Sequence, residues 1–328
     1  MDTVNVGSQG RVPGKALTRF AWGVVGYNVL VILWGALVRA TGSGAGCGNH
    51  WPLCNGQVIP MSPTLHTIIE FTHRCMTGGS AFVVLALLVW TFRETVKGQA
   101  ARGLAVLSTV LLVNEAFLGA LLVKLGYVTG NQSVGRMVML SIHLSNTLLL
   151  MAALTLTARF LGTGQGWVRT LRGSKLAWTV TGLVATIVVG VSGSLAALGD
   201  TLFPSASLQA AFAQDFDASA PWLLKLRGVH PASAVVAAGF VVWLVLEARR
   251  AGLGRRAMIV IGLLAAQFAL GIADVLLLAP TWMQILHLLG ADLYWIALVA
   301  LAAGVVWPRA KGEALDGSRV EPEAALSL

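Results

Sequence analysis

Eight long apolar segments constrain the fold of this chain more than any other feature of its sequence. A helix needs about 20 apolar residues to cross the hydrocarbon core of a bilayer, because each residue advances it by about 1.5 Å. Segments of this length occur at 19–40, 65–92, 103–124, 137–160, 175–198, 223–246, 257–278 and 282–306. Since 56% of the residues are hydrophobic and only 11% are charged, the sequence predicts an all-α integral membrane protein with eight transmembrane helices. We expect the first span to be retained, because it is too long for a cleaved signal peptide.

The basic residues predict the orientation of the spans. Lys and Arg favour cytoplasmic loops, and 17 of the 23 fall on one side of an eight-span arrangement. These are Arg11, Lys15, Arg19, Arg93, Lys97, Arg102, Arg159, Arg169, Arg172, Lys175, Arg249, Arg250, Arg255, Arg256, Arg309, Lys311 and Arg319. Both termini are therefore expected in the cytoplasm. The net charge of +9 is assigned to attraction by anionic lipids, and nucleic-acid binding is not expected because no basic patch is interleaved with aromatic residues.

A weak internal repeat predicts two pseudo-symmetric four-helix bundles. "NEAFLGALLV" in the third span resembles "AQFALGIADV" in the seventh, and "GALVRATGSG" after the first loosely parallels "GVSGSLAALG" at the end of the fifth. The expected divisions are a cytoplasmic segment (1–18), an N-terminal half (19–160) with an outer loop (41–64), a cytoplasmic linker (161–174), a C-terminal half (175–307) and a cytoplasmic tail (308–328).

Two cysteines lie seven residues apart in the loop expected on the outer, oxidising side. Cys47 and Cys54 could form a small disulfide ring or a redox-active pair. A metal site is less favoured, because only His50 is nearby as a further ligand. Cys75 lies inside the second span and is expected to be a buried packing residue.

Four histidines supply the strongest functional signal. His73, His143, His230 and His287 occupy the second, fourth, sixth and eighth spans, each about six to ten residues past the predicted outer end. Imidazoles at matched depth in a four-helix bundle suit axial ligation of haem iron, although each one alone could be an ordinary buried polar group. Small residues near them would make room for a flat macrocycle, or simply allow close helix packing. These are Thr77, Gly78, Thr147, Ala234, Gly290 and Ala291.

The two halves differ in the charged residue that precedes the first histidine. Glu70 lies three residues before His73, on the same helical face, whereas Arg227 holds that place before His230. Glu70 could act as a general acid or base, or it could only pair with Arg74 or Arg39. Arg227 and Lys225 could bind haem propionates. Three further intramembrane acids receive no assignment from the sequence: Glu115, Asp274 and Asp292.

The motifs "GALVRATGSGAGCGNHWPLCNG" and "IIEFTHR", with the later histidines, resemble the heme A synthase family of bacterial and mitochondrial membrane enzymes. Members convert haem O to haem A for terminal oxidases, and the resemblance extends from about residue 17 to 307. It departs from members with two cysteine pairs, because the 199–222 loop, with Asp200, Asp215 and Asp217, contains no cysteine.

The resemblance implies a division of labour between the halves. His230 and His287 would ligate a permanent haem b, while His73 and His143 would flank the substrate haem O. Glu70 would be catalytic, and Cys47 and Cys54 would form a disulfide. Arg39 and Arg74 are candidates for the substrate's propionates.

The resemblance also implies partners and a location. A haem O-producing farnesyltransferase is an expected neighbour, as is an external electron carrier that the sequence does not identify. The expected location is the bacterial cytoplasmic (inner) membrane, and a homo-oligomer is left open.

Two other functions remain compatible with the residues alone. A plain two-haem cytochrome would bind two haems b without changing them, but its haems would be expected at two depths. A repeat-built transporter would have broken helices near the midplane, and Pro231, Gly78 and Gly79 would permit a break.

Overall fold

The computed structural model describes residues 13–166 and 173–308. Within these ranges it contains ten α-helices and one short 3-10 turn, Ser43–Ala45. The helices are α1 (Lys15–Ala40), α2 (Leu65–Glu94), α3 (Ala100–Lys124), α4 (Val134–Leu161), α5 (Gly173–Leu202), α6 (Leu208–Phe216), α7 (Trp222–Lys225), α8 (Val229–Arg250), α9 (Gly254–Leu276) and α10 (Thr281–Val306). Eight segments are long and apolar enough to cross a membrane, with α7 and α8 forming one of them. The prediction of an all-α protein with eight candidate spans is confirmed.

Three parts of the predicted organisation lie wholly or partly outside the described residues. They are the N-terminal segment 1–18, the linker 161–174 and the tail 308–328. The same holds for six basic residues used to predict orientation: Arg11, Arg169, Arg172, Arg309, Lys311 and Arg319. The assignment of both termini to the cytoplasm therefore stays a prediction.

Local sequence explains where two of the long helices begin. The Thr64 side chain accepts a hydrogen bond from the Thr67 backbone N–H at the start of α2, and Ser133 does the same for Arg136 at the start of α4. These caps satisfy backbone donors that lack a partner in the first turn of a helix. Both helices that carry the first two candidate histidines thus begin at defined positions.

The eight spans pack as two groups of four. In the first, α1 packs against α2 and α4, and α3 packs against α2 and α4; in the second, α8 packs against α5 and α9, and α10 packs against α9 and α5. The groups meet where α1 and α4 contact α5 and α10. The indole N–H of Trp295 donates to the Leu148 carbonyl at 2.8 Å across this boundary. Each group is a closed four-helix bundle.

Successive spans run in opposite directions, so the connections gather at two ends. At one end, Gln99 donates to the Gly164 carbonyl, Gln165 donates to the Pro308 carbonyl and Lys175 pairs with Glu247 at 2.8 Å. At the other end, the Thr129 hydroxyl donates to the Gly42 carbonyl. We call this second end, which carries residues 41–64, the disulfide end.

The segment expected to be a loop at 199–222 contains more helix than predicted. Helix α5 continues through Leu202, so Asp200 lies on its last turn, and α6 occupies the middle of the segment. Ser207 caps α6 by accepting from the Ala210 backbone N–H at 3.1 Å. The prediction of a loop was wrong for these positions. Polar residues such as Gln209 and Gln214 interrupt the apolar pattern from which a short helix could have been predicted.

Candidate functional site

The four candidate histidines lie at one depth, near the disulfide end. His73, His143, His230 and His287 fall six to nine residues beyond the first residue of their spans. At about 1.5 Å per residue this corresponds to roughly 9 to 14 Å along the helices. All four side chains are partly buried. The arrangement pairs His73 with His143 in the first bundle and His230 with His287 in the second.

Each histidine packs against a glycine of the preceding span. A Cβ atom added to Gly35 would lie 3.1 Å from His73 Cε1, and one added to Gly193 would lie 2.8 Å from His230 Cε1. The corresponding distances are 3.9 Å for Gly119 to His143 Cε1 and 3.4 Å for Gly271 to His287 Cε1. The glycines lie on α1, α5, α3 and α9, and the histidines on the helices that follow. Where the distance is shortest, any side chain larger than hydrogen would push the imidazole away.

The imidazoles of the second bundle lie close together in an edge-to-face arrangement. The ring centroids of His230 and His287 are 6.3 Å apart, and the ring planes are nearly perpendicular at 85°. His230 Nδ1 lies 3.2 Å from the Val189 carbonyl and 3.3 Å from the Ser192 hydroxyl. These contacts provide hydrogen-bond partners for Nδ1 of His230.

The histidines fit the ligand set of a haem iron. A metal bound to both imidazoles at about 2 Å from each nitrogen would fit between rings at the separation seen for His230 and His287. Among the described residues, Nδ1 of His73, His143 and His287 is buried without a hydrogen-bond partner. Unpaired buried nitrogens are costly, and a ligating histidine normally uses one nitrogen for the metal and the other for a hydrogen bond. The glycines leave the helix surface flat beside each ring.

Glu70 connects the first bundle to the disulfide loop. Its side chain is buried, and its Oε2 accepts a hydrogen bond from the Cys47 backbone N–H at 2.8 Å. Its Oε1 accepts from the Arg74 guanidinium, with the shorter N–O distance at 2.5 Å. The ion pair with Arg74 that the sequence left open is therefore formed. Both carboxylate oxygens are held in place, which fixes Glu70 one helical turn from His73.

The disulfide between Cys47 and Cys54 is formed, with a sulfur–sulfur distance of 2.01 Å. Both cysteines are buried. The Asn55 backbone N–H donates to the Cys47 carbonyl at 3.0 Å, and the Thr67 hydroxyl donates to the Gly46 carbonyl at 2.9 Å. A Cβ at Gly46 would collide with the His66 carbonyl, so only glycine allows this approach. The loop is thereby held against the first turn of α2.

Glu115 of α3 forms a second carboxylate site in the first bundle. Its Oε1 lies 3.5 Å from His143 Nδ1 and accepts a hydrogen bond from the Thr147 hydroxyl. Its Oε2 accepts from the Asn146 amide at 2.5 Å. In contrast to Glu70, Glu115 forms no ion pair with a Lys or Arg among residues 13–166 and 173–308. The sequence left this acid unassigned, and the structure places it beside a candidate haem ligand.

The candidate propionate-binding cations have different surroundings. Arg39 donates to the Thr201 hydroxyl at 3.1 Å and to Gln284 Oε1 at 2.8 Å, so it connects the first bundle to the second. Arg74 donates to Glu70 and to two loop carbonyls, those of His50 and Leu53.

In the second bundle, Arg227 pairs with Asp200 at 2.9 Å and lies 3.4 Å from Asp215. Lys225 is exposed and donates to the Ala218 carbonyl at 3.0 Å. All four predicted cations lie at the disulfide end, and those of the second bundle already have acidic or carbonyl partners.

The remaining intramembrane acids lack partners for one oxygen. Asp274 Oδ1 and Asp292 Oδ2 are buried without a hydrogen bond to a described residue. Asp292 is 3% exposed, on the face of α10 that also carries the buried Trp295. Neither acid is hydrogen-bonded or ion-paired to a histidine within residues 13–166 and 173–308, so we assign them no place in the site.

Two expectations about small residues need correction. Cys75 is exposed rather than buried, because it lies about 200° around α2 from His73, on the outside of the bundle. Gly78 contacts nothing within 4 Å of an added Cβ, so it does not border the His73 ring. The glycines that do border the histidines are on the partner helices and were missed as site residues. Their signal was present in the repeat, since Gly119 and Gly271 hold the same place in "NEAFLGALLV" and "AQFALGIADV".

Comparison with known families decides the classification. The model of the COX15-CtaA family, described as cytochrome oxidase assembly protein, matches residues 18–299. This chain belongs to that family. The resemblance found from the cysteine loop and the histidines is thereby confirmed at the level of the family, and the matched range includes every candidate site residue.

Individual relatives of this chain carry two different names. A "Protoheme IX farnesyltransferase" of Thermus thermophilus is 45% identical over 301 residues, which are 90% of this chain and 49% of the relative. A "Heme A synthase" of Bacillus licheniformis is 47% identical over 98 residues, 30% of this chain and 32% of the relative. A "Heme A synthase" of Geobacillus kaustophilus is 42% identical over 112 residues, covering 34% and 35%. The chain spans about half the length of the Thermus relative that it matches.

Proposed function

We propose that this protein is a heme A synthase, which oxidises a ring methyl of haem O to the formyl of haem A for terminal oxidases. The observation that carries the proposal is a difference between two otherwise equivalent sites. Both have two histidines packed on glycines, but within the described parts of the chain only the first has carboxylates beside them, Glu70 and Glu115. The second has Arg227 and Gln267 at those places. A site that modifies its haem needs acid–base groups, whereas a site that only transfers electrons does not.

The second bundle, within 175–307, is proposed to hold a permanent haem b between His230 and His287. Bound there, haem b would supply one-electron transfer. The protein's contribution is to orient the ligands. Ser192 and the Val189 carbonyl hold His230 Nδ1, and Gly193 and Gly271 support the two rings. Arg227 and Lys225 lie close enough to the disulfide end to meet propionates.

The first bundle, within 19–160, is proposed to bind haem O between His73 and His143. In each of two successive hydroxylations, water supplies the hydroxyl oxygen, two protons are released and two electrons leave the methyl carbon for the external electron carrier. The resulting geminal diol then loses water to leave the formyl group. Glu70 is the proposed acid–base group that takes or gives protons during these steps. Arg74 and the Cys47 N–H hold the two carboxylate oxygens of Glu70 in place. Arg39 and Arg74 are the proposed cations for the propionates of haem O, and the farnesyl chain would follow the apolar helix surfaces.

The proposed partners follow from the substrate. Haem O must come from an enzyme that attaches a farnesyl group to haem, and the Thermus relative bears the name of such an enzyme. This chain matches about half of that relative, so we infer that the unmatched half carries the named transferase and that the two activities work side by side. An electron carrier is required as the second partner. The proposed location is the bacterial inner membrane, with the disulfide end outward.

The test is the identity of the haems extracted with acid from membranes that make haem O, with and without this protein. Chromatography and mass spectrometry should show haem A or its hydroxylated intermediate only when the protein is present. If haem O stays unaltered while the purified protein holds haem b, the protein is an electron-carrying cytochrome instead. His143→Ala serves as the control, because it keeps the second bundle intact.

A further inference from the structure

The strongest unassigned group in the described residues is the carboxylate of Glu115. It is an intramembrane acid, 14% exposed at its side chain, and it lies inside the first bundle without a cationic partner among the described Lys and Arg residues. Charged groups in a membrane are costly, and they persist mainly where they have a function. The neighbours of Glu115 are neutral donors from one turn of α4, Asn146 and Thr147, and the imidazole of His143.

The donors hold the carboxylate in one orientation. Asn146 is itself fixed, because its amide also donates to the Leu111 carbonyl at 2.9 Å and its Oδ1 accepts from Asn114 at 2.8 Å. The single hydroxyl proton of Thr147 is shared between Glu115 Oε1 and the His143 carbonyl oxygen, which lies 2.9 Å from the hydroxyl. Glu115 Oε1 is thereby placed 3.5 Å from Nδ1 of His143. A movement of a few tenths of an ångström would bring this pair to hydrogen-bond distance.

His143 is alone among the four described histidine ligands in having a carboxylate at Nδ1. The Nδ1 of His230 meets neutral oxygens. The Nδ1 atoms of His73, His143 and His287 form no hydrogen bond to a described residue, but that of His143 has the Glu115 carboxylate 3.5 Å away. The internal repeat identifies the residue of the second bundle that is equivalent to Glu115. Glu115 lies four residues before Gly119, and Gln267 lies four residues before Gly271. The Gln267 amide packs against Gly290 rather than against an acceptor.

We infer that Glu115 is a positioning residue of the first bundle that accepts the Nδ1–H of His143 and makes this histidine a more strongly electron-donating ligand for the substrate haem. A carboxylate acceptor fixes the tautomer of a ligating histidine, so that Nε2 faces the iron, and raises its basicity. A more basic ligand stabilises ferric over ferrous iron. The substrate haem thus has a lower reduction potential than it would with the neutral acceptors of the second bundle. This inference rests on the proposed function of the His73 and His143 site.

The test measures the midpoint potentials of both haems in purified full-length protein loaded with haem O. Glu115→Gln keeps the shape but removes the charge, so the potential of the His143 haem should rise while that of the His230 haem stays unchanged. Thr147→Val removes a donor that competes for Oε1, so the same potential should fall. Opposite shifts distinguish an electronic effect from general loosening of the bundle. Gln267→Leu, at the equivalent position of the second bundle, should leave the first potential unaltered.

The outcomes separate this inference from the proposed function. If His143→Ala does not remove any haem from the loaded protein, the first bundle does not bind haem O and the proposed function is wrong. If haem O binds through His143 but Glu115→Gln and Thr147→Val shift its potential in the same direction, or not at all, only the inference about Glu115 is wrong. If Glu115→Gln does not accumulate, Thr147→Val alone decides. The inference about Glu115 is then wrong if the potential of the His143 haem in Thr147→Val is equal to or above that in the parent protein.

Discussion

The Cys47 backbone N–H donates to Glu70 Oε2 at 2.8 Å, which joins a disulfide-bonded loop directly to the proposed acid–base group. The loop therefore does more than cover the end of the first bundle. Its backbone supplies one of the groups that stabilise the Glu70 carboxylate, and Arg74 supplies the other while also bonding two loop carbonyls. A change in the loop should consequently alter the acid–base chemistry at Glu70.

Replacing Glu70 tests its catalytic role. Glu70→Gln should reduce haem A formation by about 100-fold or more, because a positioned acid–base group contributes about 10²–10⁴-fold to a rate. The haem b content should stay unchanged, since the second bundle does not contact Glu70. Product haems would be quantified by chromatography in membranes with matched protein levels. Glu247→Gln is the control, because Glu247 pairs with Lys175 and Arg250 at the opposite end, and activity equal in both variants would remove the role.

Replacing His230 tests the assignment of the halves. His230→Ala should lose the permanent haem while the helical content stays near that of the parent protein, because most helix contacts do not involve this side chain. Haem content from the absorption spectrum and helix content from circular dichroism measure the two effects. His73→Ala should keep the permanent haem. A bis-histidine spectrum that survives in His230→Ala and disappears in His73→Ala would show that the halves are assigned backwards.

The glycine contacts predict a graded effect of added methyl groups. Gly193→Ala should weaken haem retention strongly, because its Cβ would lie 2.8 Å from His230 Cε1, closer than carbon atoms approach in folded proteins. Gly119→Ala should have little effect on haem O binding, since its Cβ would lie 3.9 Å from His143 Cε1. Retention would be measured as haem per protein after washing in detergent.

The control for Gly193→Ala is Gly239→Ala, also within a helix of the second bundle. An added Cβ at Gly239 meets nothing within 4 Å. This variant should gain about 0.5–1 kcal/mol of stability, the usual effect of replacing glycine by alanine inside a helix. Equal haem loss from both variants would mean that the contact with His230 is unimportant.

Removing the disulfide should weaken both the loop and the catalytic site. The double change of Cys47 and Cys54 to serine opens a short ring, which is expected to lower stability by about 2–3 kcal/mol. The Cys47 N–H would then hold Glu70 less firmly, so haem A formation should fall while haem b content persists. Thermal unfolding and product analysis measure the two effects. A variant with full activity and a lowered melting temperature would restrict the disulfide to a structural role.

The sequence predicted the spans well because each is a run of apolar residues about 20 long, and the membrane requires little else of a helix. It also predicted that four imidazoles lie at similar positions along alternate spans, because such a pattern can be counted. Their role as haem ligands stays a prediction. The short helix α6 was not predicted, because a segment of 9 residues outside the membrane contains no long run of apolar residues.

Contacts between helices could not be predicted in the same way. Gly35 and Gly193 border equivalent histidines, yet they lie three positions apart in the alignment of "GALVRATGSG" with "GVSGSLAALG". The neighbours of Glu115, and the hydrogen bonds that Arg39 makes with the second bundle, depend on which helices pack against each other. Sequence spacing along one helix does not contain that information.

The contact of a glycine on one helix with a histidine on the next occurs four times. It divides each of the two bundles into two pairs of helices. The most extensive helix contacts are those of α1 with α2, α3 with α4, α5 with α8 and α9 with α10, and each of these pairs holds one glycine and one histidine. The building unit is therefore an antiparallel hairpin that carries one imidazole beside a glycine of its partner helix. Under the proposed function each hairpin would supply one of the two axial ligands of a haem, and any arrangement that brings two such hairpins together, on one chain or on two, would complete a site.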